Sequence, residues 1–232
     1  MKFAADIAGK SLIKYGEELC GDKTEILTAG EDQILILADG MGSGVKANIL
    51  ATLTSKILGT MFRYGADLED CVHTVIRTLP TCKVRKAAYS TFSILKLGTD
   101  GSARLIEFDN PSCIFLRNGT VLPLNWTQIQ IEGKMIRESR FFVEVGDYLL
   151  LLSDGVTFAG LGGIYPFGWT REGVCEFASK LSLQCPCANE LVSLLLDKCL
   201  ELYNNHPGDD TTLLAARILS APSDLSSAIN LS

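Results

Sequence analysis

Apolar residues follow two different periods along this chain. Ile34-Leu35-Ile36-Leu37-Ala38, Tyr148-Leu149-Leu150-Leu151-Leu152 and Thr212-Leu213-Leu214-Ala215-Ala216 are short unbroken runs, the length of a strand covered on both faces. Val45, Ile49, Leu50, Leu53, Ile57, Leu58 and Met61 recur instead at three- and four-residue steps, which predicts an amphipathic helix over 45–64. The same reading predicts helices over 67–79, stopping at Pro80, and over 170–183 and 188–203. Strands are expected at 3–9, 25–28, 33–38, 88–97, 103–108, 112–117, 120–122 and 211–219. Asn118-Gly119 between two apolar runs marks a hairpin. Gly146-Asp147 reads as the turn of another, joining 141–145 to 147–153. Residues 123–140 show no regular period, and 221–232 read as a loose polar tail.

Helices early, strands in the middle, helices late and one closing strand do not alternate as βαβ units. Hairpins point to antiparallel sheets. The expected class is α+β, an αββα sandwich of two stacked antiparallel sheets flanked by helices. Residues 1–220 form a single domain, with 221–232 outside it.

At 232 residues with 47% hydrophobic side chains the chain can bury one large core. A net charge of −6 without a Lys/Arg run argues against a nucleic-acid binder. No segment approaches the roughly 18 apolar residues of a membrane span, and Asp6 interrupts the start before an apolar leader forms. The eight cysteines contain no Cys-x-x-Cys pair. Several sit in apolar patterns as small hydrophobes, so neither structural zinc nor a disulfide frame is expected, and a cytoplasmic location follows.

The chemistry lies in four acidic segments at strand ends: Gly21-Asp22, Asp39-Gly40-Met41-Gly42-Ser43-Gly44, Ser153-Asp154-Gly155 and Gly208-Asp209-Asp210-Thr211. Each alone is most often an ordinary turn. A carboxylate at the tip of a buried strand is costly unless its charge is compensated. Several such tips meeting at one edge of a sandwich make an all-oxygen anionic site suited to Mg²⁺ or Mn²⁺, with glycines that let backbone carbonyls approach an ion. The residues therefore suggest a metal-dependent hydrolase. Two nucleotide-binding alternatives fail on spacing. Val45 separates Gly44 from Lys46, where a Walker A loop needs Gly-Lys-Ser/Thr, and Val45 stands where the dinucleotide fingerprint needs its third glycine.

In this order the segments resemble the metal-dependent phosphatases of the protein phosphatase 2C superfamily, and most closely the bacterial SpoIIE-type branch. The string Asp39-Gly40-Met41-Gly42-Ser43-Gly44 is the most branch-specific part, and the resemblance runs from Gly21 to Leu219. It implies a two-ion Mn²⁺ or Mg²⁺ centre between the sheets. On that mapping Asp39 bridges both ions, the Gly40 carbonyl binds one, Asp154 and Asp209 complete the other, and Asp22 holds an ion directly or through water. Asp210 supports from behind. A metal-activated water would attack phosphorus, with Asp39, Asp154 and Asp209 as the catalytic acids acting through it. His206 reads as a solvent-facing loop residue, with proton donation as the alternative. Two departures from the eukaryotic pattern stand out. Lys14 and Lys23 are the basic residues near Asp22 where those enzymes have a phosphate-gripping Arg, and Asp109-Asn110-Pro111-Ser112 replaces their Gly-Asp-Ser-Arg segment.

The resemblance implies a phosphoserine/phosphothreonine protein phosphatase. Its substrate would be a phosphorylated regulatory protein of the anti-anti-sigma (STAS) type, and a second copy or a regulatory partner would act on the 45–64 helix. Two alternatives stay open: a catalytically weak phosphoprotein-binding regulator, and a small-molecule phosphatase or phosphodiesterase on the same fold.

Overall fold

The computed structural model describes residues 2–78 and 90–221. The expected helix stop at Pro80, the start of the strand at 88 and the tail beyond Ala221 lie outside the described residues. The elements are, in chain order, β1 (Phe3–Leu12), β2 (Asp22–Ala29), β3 (Asp32–Gly40), α1 (Gly44–Arg63), α2 (Leu68–Thr78), β4 (Ser90–Leu97), β5 (Ser102–Phe108), β6 (Ile114–Arg117) and β7 (Thr120–Leu122). They continue as β8 (Thr127–Ile131), β9 (Lys134–Phe142), β10 (Tyr148–Leu152), α3 (Asp154–Thr157), α4 (Thr170–Ser182), α5 (Ala188–Leu202) and β11 (Thr211–Ser220).

Two antiparallel sheets form, one ordered β1-β11-β10-β6-β7 and the other β2-β3-β4-β5-β9-β8. The unbroken apolar runs explain why they stack. In β3, Leu35 and Leu37 face the inter-sheet core with Leu95, Leu105, Leu149, Leu151 and Leu214, while Ile34, Ile36 and Ala38 face outward. The outward set is covered by α1 and α2 through Ala51, Leu58, Phe62, Cys71, Val72 and Val75. On the other side α4 and α5 cover Leu150, Leu152, Leu213 and Ala215 with Val174, Ala178, Leu191, Leu195 and Cys199. Each central strand is thus buried on both faces, one by the partner sheet and one by helices. The expected αββα sandwich is observed.

Two segments differ from the sequence reading. The hairpin expected around Gly146-Asp147 does not exist. β9 pairs with β5 and β8 in one sheet, whereas β10 pairs with β6 and β11 in the other. Val143–Asp147 is therefore a crossing between sheets. Asp147, 1% exposed, holds that crossing: its carboxylate accepts from Arg117 Nε and Nη2 at 2.9 and 2.8 Å and from the Glu144 N–H at 2.7 Å. The bidentate pair fixes the bend, and Gly146 (φ 95°) allows it. Residues 123–140, read as irregular, contain the β8–β9 hairpin. Its turn is Glu132-Gly133, both at positive φ.

Candidate functional site

Pairing of β2 with β3 sets Asp22 directly opposite Asp39. Like charges in that position repel, so the ladder alone would not choose this arrangement. In the other sheet Leu152 lies opposite Leu213, so the end of β10 meets the start of β11. Asp154 follows the first and Asp209-Asp210 precede the second. Both sheets deliver these ends to one edge of the sandwich. There Asp22, Asp39, Gly40, Asp154, Asp209 and Asp210 line a cleft of about 220 Å³ together with Met41, Gly42, Thr91, Asp109, Asn110 and Pro111.

Asp210 fastens the edge together. Its Oδ2 accepts from the Gly21 N–H at 2.9 Å and its Oδ1 from the Lys14 N–H at 3.1 Å, tying the β1–β2 connection to the start of β11. Ser153 Oγ accepts from the Thr212 N–H at 2.8 Å, and Tyr203 Oη donates to the Gly155 carbonyl at 2.7 Å. Two of the glycines are required by close approach of backbone. A Cβ on Gly40 would lie 2.0 Å from the Ala47 carbonyl oxygen, and one on Gly155 would lie 2.1 Å from that of Asp210. The first turn of α1 can therefore rest against the end of β3 only because residue 40 has no side chain.

The cleft is electrostatically costly. Burial, and then the charges of Asp22, Asp154, Asp209 and Asp210, push the Asp39 carboxyl up to about 9. Burial likewise raises Asp22 to about 7, although the hydroxyls of Ser153 and Thr212 oppose the rise. Asp154 is raised by burial and by Asp209, with Lys14 acting the other way. Lys14 Nζ stands 3.8 Å from Asp209 Oδ1.

Among the described residues no three Asp, Glu, His or Cys side chains form a ready-made metal-ligating cluster. The acids share a cleft rather than a tight coordination sphere. Two observations nonetheless fit a hard cation. The acids that line the cleft offer oxygen alone, and Asp22 Oδ2 is buried with no hydrogen-bond partner.

The structure brings all six sequence-predicted residues to this cleft. His206 is not among the cleft residues: it is exposed, its Nδ1 lies 2.8 Å from the Asn204 carbonyl, and its ring stacks edge-on with Tyr15 at 4.4 Å. Asn110 lines the cleft from the Asp109–Ser112 segment noted in the sequence, and Thr91, which donates to its Oδ1 at 2.5 Å, lines the cleft without any signal in the sequence. The side chain of Lys14 sits beside Asp209 although its segment has no period to place it. The seven cysteines among the described residues are all unpaired. No helix among the described residues is long and apolar enough to cross a membrane.

Over residues 29–219 the chain matches the family model described as stage II sporulation protein E, SpoIIE. Asp39, Asp154, Asp209 and Asp210 lie within that span and Asp22 lies before it. The chain is 25% identical over 215 residues to stage II sporulation protein E of Bacillus subtilis (strain 168), a match covering 88% of this chain and 24% of that protein. The chain thus spans about a quarter of that relative's length. Among solved structures it is similar to the phosphatase domain of the cell-fate determinant SpoIIE from Bacillus subtilis. The TM-score is 0.69 at 18% identity, covering 100% of this chain and 99% of that one. It is also similar to RsbX in complex with magnesium, with a TM-score of 0.63 at 17% identity over 93% of this chain and 99% of that one. At these identities the likeness is one of fold.

Proposed function

This chain belongs to the SpoIIE family, and on that premise we propose that it is a metal-dependent protein phosphatase acting on phosphoserine and phosphothreonine. The single observation that carries the reading is the convergence of acids from both sheets on one cleft. Asp39 with the Gly40 carbonyl, Asp154, Asp209 and Asp22 are the groups that would hold two Mn²⁺ or Mg²⁺ ions. Such ions, when bound, supply Lewis acidity and lower the pKa of water to near neutrality. The protein's own contribution is position. The β2–β3 register holds Asp22 and Asp39 abreast, the β10–β11 pairing presents Asp154 and Asp209, and Asp210 keeps the two sheet edges from drifting apart. Both Asp210 oxygens accept backbone N–H groups, which supports a role for it behind the ion-holding residues. RsbX, a fold relative, is known in complex with magnesium, which supports the choice of a hard ion. The substrate we propose is a phosphorylated regulatory protein of the STAS type in a bacterial signalling pathway.

The test offers phosphoserine peptides, phosphothreonine peptides, nucleotides and phosphodiesters side by side, with Mn²⁺, Mg²⁺ or Zn²⁺ and after exhaustive chelation. Turnover of the phosphopeptides with Mn²⁺ or Mg²⁺, and its loss on chelation, is expected. Full turnover without metal sinks the reading. Preference for nucleotides or diesters moves the protein to the small-molecule alternative.

Regulation is proposed to act through α1. Its buried face is Ala47, Leu50, Ala51, Leu58 and Phe62, yet Val45, Ile49 and Leu53 are also exposed in a row at four-residue steps. A second copy or a regulatory partner covering that row would bear on Gly40 and Asp39 through the first turn of the helix. Calorimetric titration of the isolated chain should then give weak Mn²⁺ binding that tightens when the row is covered. Tight binding at both ion sites in a fully active monomer leaves α1 as scaffold only.

A further inference from the structure

We infer that a second cavity, beside the acid cleft, takes an apolar side chain of the substrate that neighbours the phosphorylated serine or threonine. The inference rests on the phosphatase reading above and adds which phosphoproteins the site selects. The cavity measures about 320 Å³. Phe158, Gly160 and Leu161 wall it on one side, Leu202, Tyr203 and His206 on the other. Asp209 lines both this cavity and the acid cleft. An extended peptide advances about 3.3 Å per residue. With its phosphoryl group over the acids, it therefore passes the opening within about two residues.

The segment that supplies the first wall, Gly155 to Thr170, carries no charged side chain in a chain that is 21% charged. Phe158, Leu161, Ile164 and Phe167 are exposed on it all the same, Phe167 by 81%. An exposed stretch rich in large apolar side chains and free of charge has the composition of the centre of a protein interface, not of a solvated loop. Its shape is set in advance. The Leu161 N–H donates to the Phe158 carbonyl at 2.9 Å, and the Gly163 and Tyr165 N–H groups donate to the Gly160 carbonyl at 3.1 and 3.2 Å. Little ordering cost is left for binding. Two polar groups of the cavity are already engaged, Tyr203 Oη by the Gly155 carbonyl and His206 Nδ1 by that of Asn204. The opening thus offers mainly apolar contact. Acids that hold a phosphoryl group through ions are indifferent to the residues around it, whereas this cavity can read one of them.

The test uses paired phosphoserine peptides that differ only in Leu or Ala at the first or second residue on either side of the phosphoserine. An aryl phosphate, which has no flanking residue, is run beside them. With Mn²⁺, Leu at one of these positions should raise kcat/KM about tenfold over its Ala counterpart, the scale of a small apolar group entering an apolar pocket. Leu161→Ala and Phe158→Ser alter exposed side chains, and in each the Leu preference should fall to within about twofold of unity. Equal turnover of Leu and Ala peptides at every position by wild type overturns the inference. So does a preference that both variants keep, or hydrolysis of the aryl phosphate with no peptide turned over. A chain that hydrolyses no ester at all refutes the phosphatase reading, and the cavity is then judged by binding. Nuclear magnetic resonance titration of the wild-type chain with the dephosphorylated peptides requires no turnover. Shifts at 158–163 and 202–208 that are larger for a Leu peptide than for its Ala counterpart would uphold the cavity, and their absence would overturn it.

Discussion

Asp39→Asn is expected to lower Mn²⁺-supported phosphopeptide hydrolysis by at least about 100-fold, the scale on which loss of one electrostatic partner of a transition state is felt. The same substitution should make the metal-free protein more stable. Asp39 lies opposite Asp22 in the ladder and shares the cleft with Asp154, Asp209 and Asp210. Its carboxyl is pushed up to about 9, first by burial and then by those charges. The sign follows from linkage. A carboxyl whose folded pKa exceeds its unfolded value near 3.8 adds stability only while protonated. That contribution is whole below about pH 4 and is lost progressively as pH rises toward 9. At pH 7 the unfolded chain ionises Asp39 while the folded protein must keep it protonated, which works against folding, and the isosteric amide has no proton to take up. Each ~1 kcal/mol relieved raises the melting temperature of a chain this size by roughly 2–4 °C. Melts of the metal-free proteins should show the Asp39→Asn variant above wild type by several degrees at pH 7, with the gap closing at pH 4. A variant with near wild-type turnover at saturating Mn²⁺ would remove Asp39 from the ligand set. One that melts at or below wild type at pH 7 would refute the repulsion argument. Asp154→Asn and Asp209→Asn should lose turnover on the same scale.

Gly40→Ala should damage both fold and site. The added Cβ would stand 2.0 Å from the Ala47 carbonyl oxygen and 2.6 Å from its carbon, both backbone atoms that no rotamer change can move. Gly40 is absent from the positive-φ residues, so the cost is contact rather than backbone strain. Relief requires the first turn of α1 to shift away from β3, dragging Asp39 and the Gly40 carbonyl with it. Overpacking of this kind costs about 1–3 kcal/mol, and a displacement near 1 Å at reacting groups costs on the order of 10²-fold in rate. Gly59→Ala on the same helix is the control. The nearest atoms to its Cβ would be those of the flexible Glu25 side chain, at 3.2 Å and beyond, so stability should change by less than about 1 kcal/mol and turnover hardly at all. Equal damage from both substitutions, read by denaturant midpoint and rate, would show that any methyl group added between α1 and its sheet is harmful and that the Gly40 contact is nothing special.

Gly40 also shows where reading a motif and seeing it part company. Its place beside Asp39 suggests an ion-binding carbonyl, and that role remains a proposal. The close approach of α1 is a separate reason for glycine that only coordinates reveal.

Elements whose side chains report burial directly were legible. β3, β10 and β11 are unbroken apolar runs because a sheet and a helix layer cover both their faces. α1 and α5 show helical spacing because one face of each lies on a sheet. The β8–β9 hairpin was not legible because its strands are held partly by charge. Arg137 pairs Glu107 at 2.9 Å, and Arg104 and Arg140 pair Glu138 at 2.5 and 2.7 Å. Such residues look like a solvated loop until their partners on β5 are known.

The sequence by itself determined the layers, the order of the acidic segments and the oxygen-only character of their chemistry, since these follow from local period and residue type. Only the tertiary structure decided that the Glu144–Asp147 turn carries the chain from one sheet to the other instead of closing a hairpin, with the Arg117–Asp147 ion pair holding it there. It also set Asp22 opposite Asp39, gave Asp210 to two backbone N–H groups and brought Lys14 beside Asp209. Those are contacts between residues up to 196 positions apart, and local pattern carries no information about register across such distances.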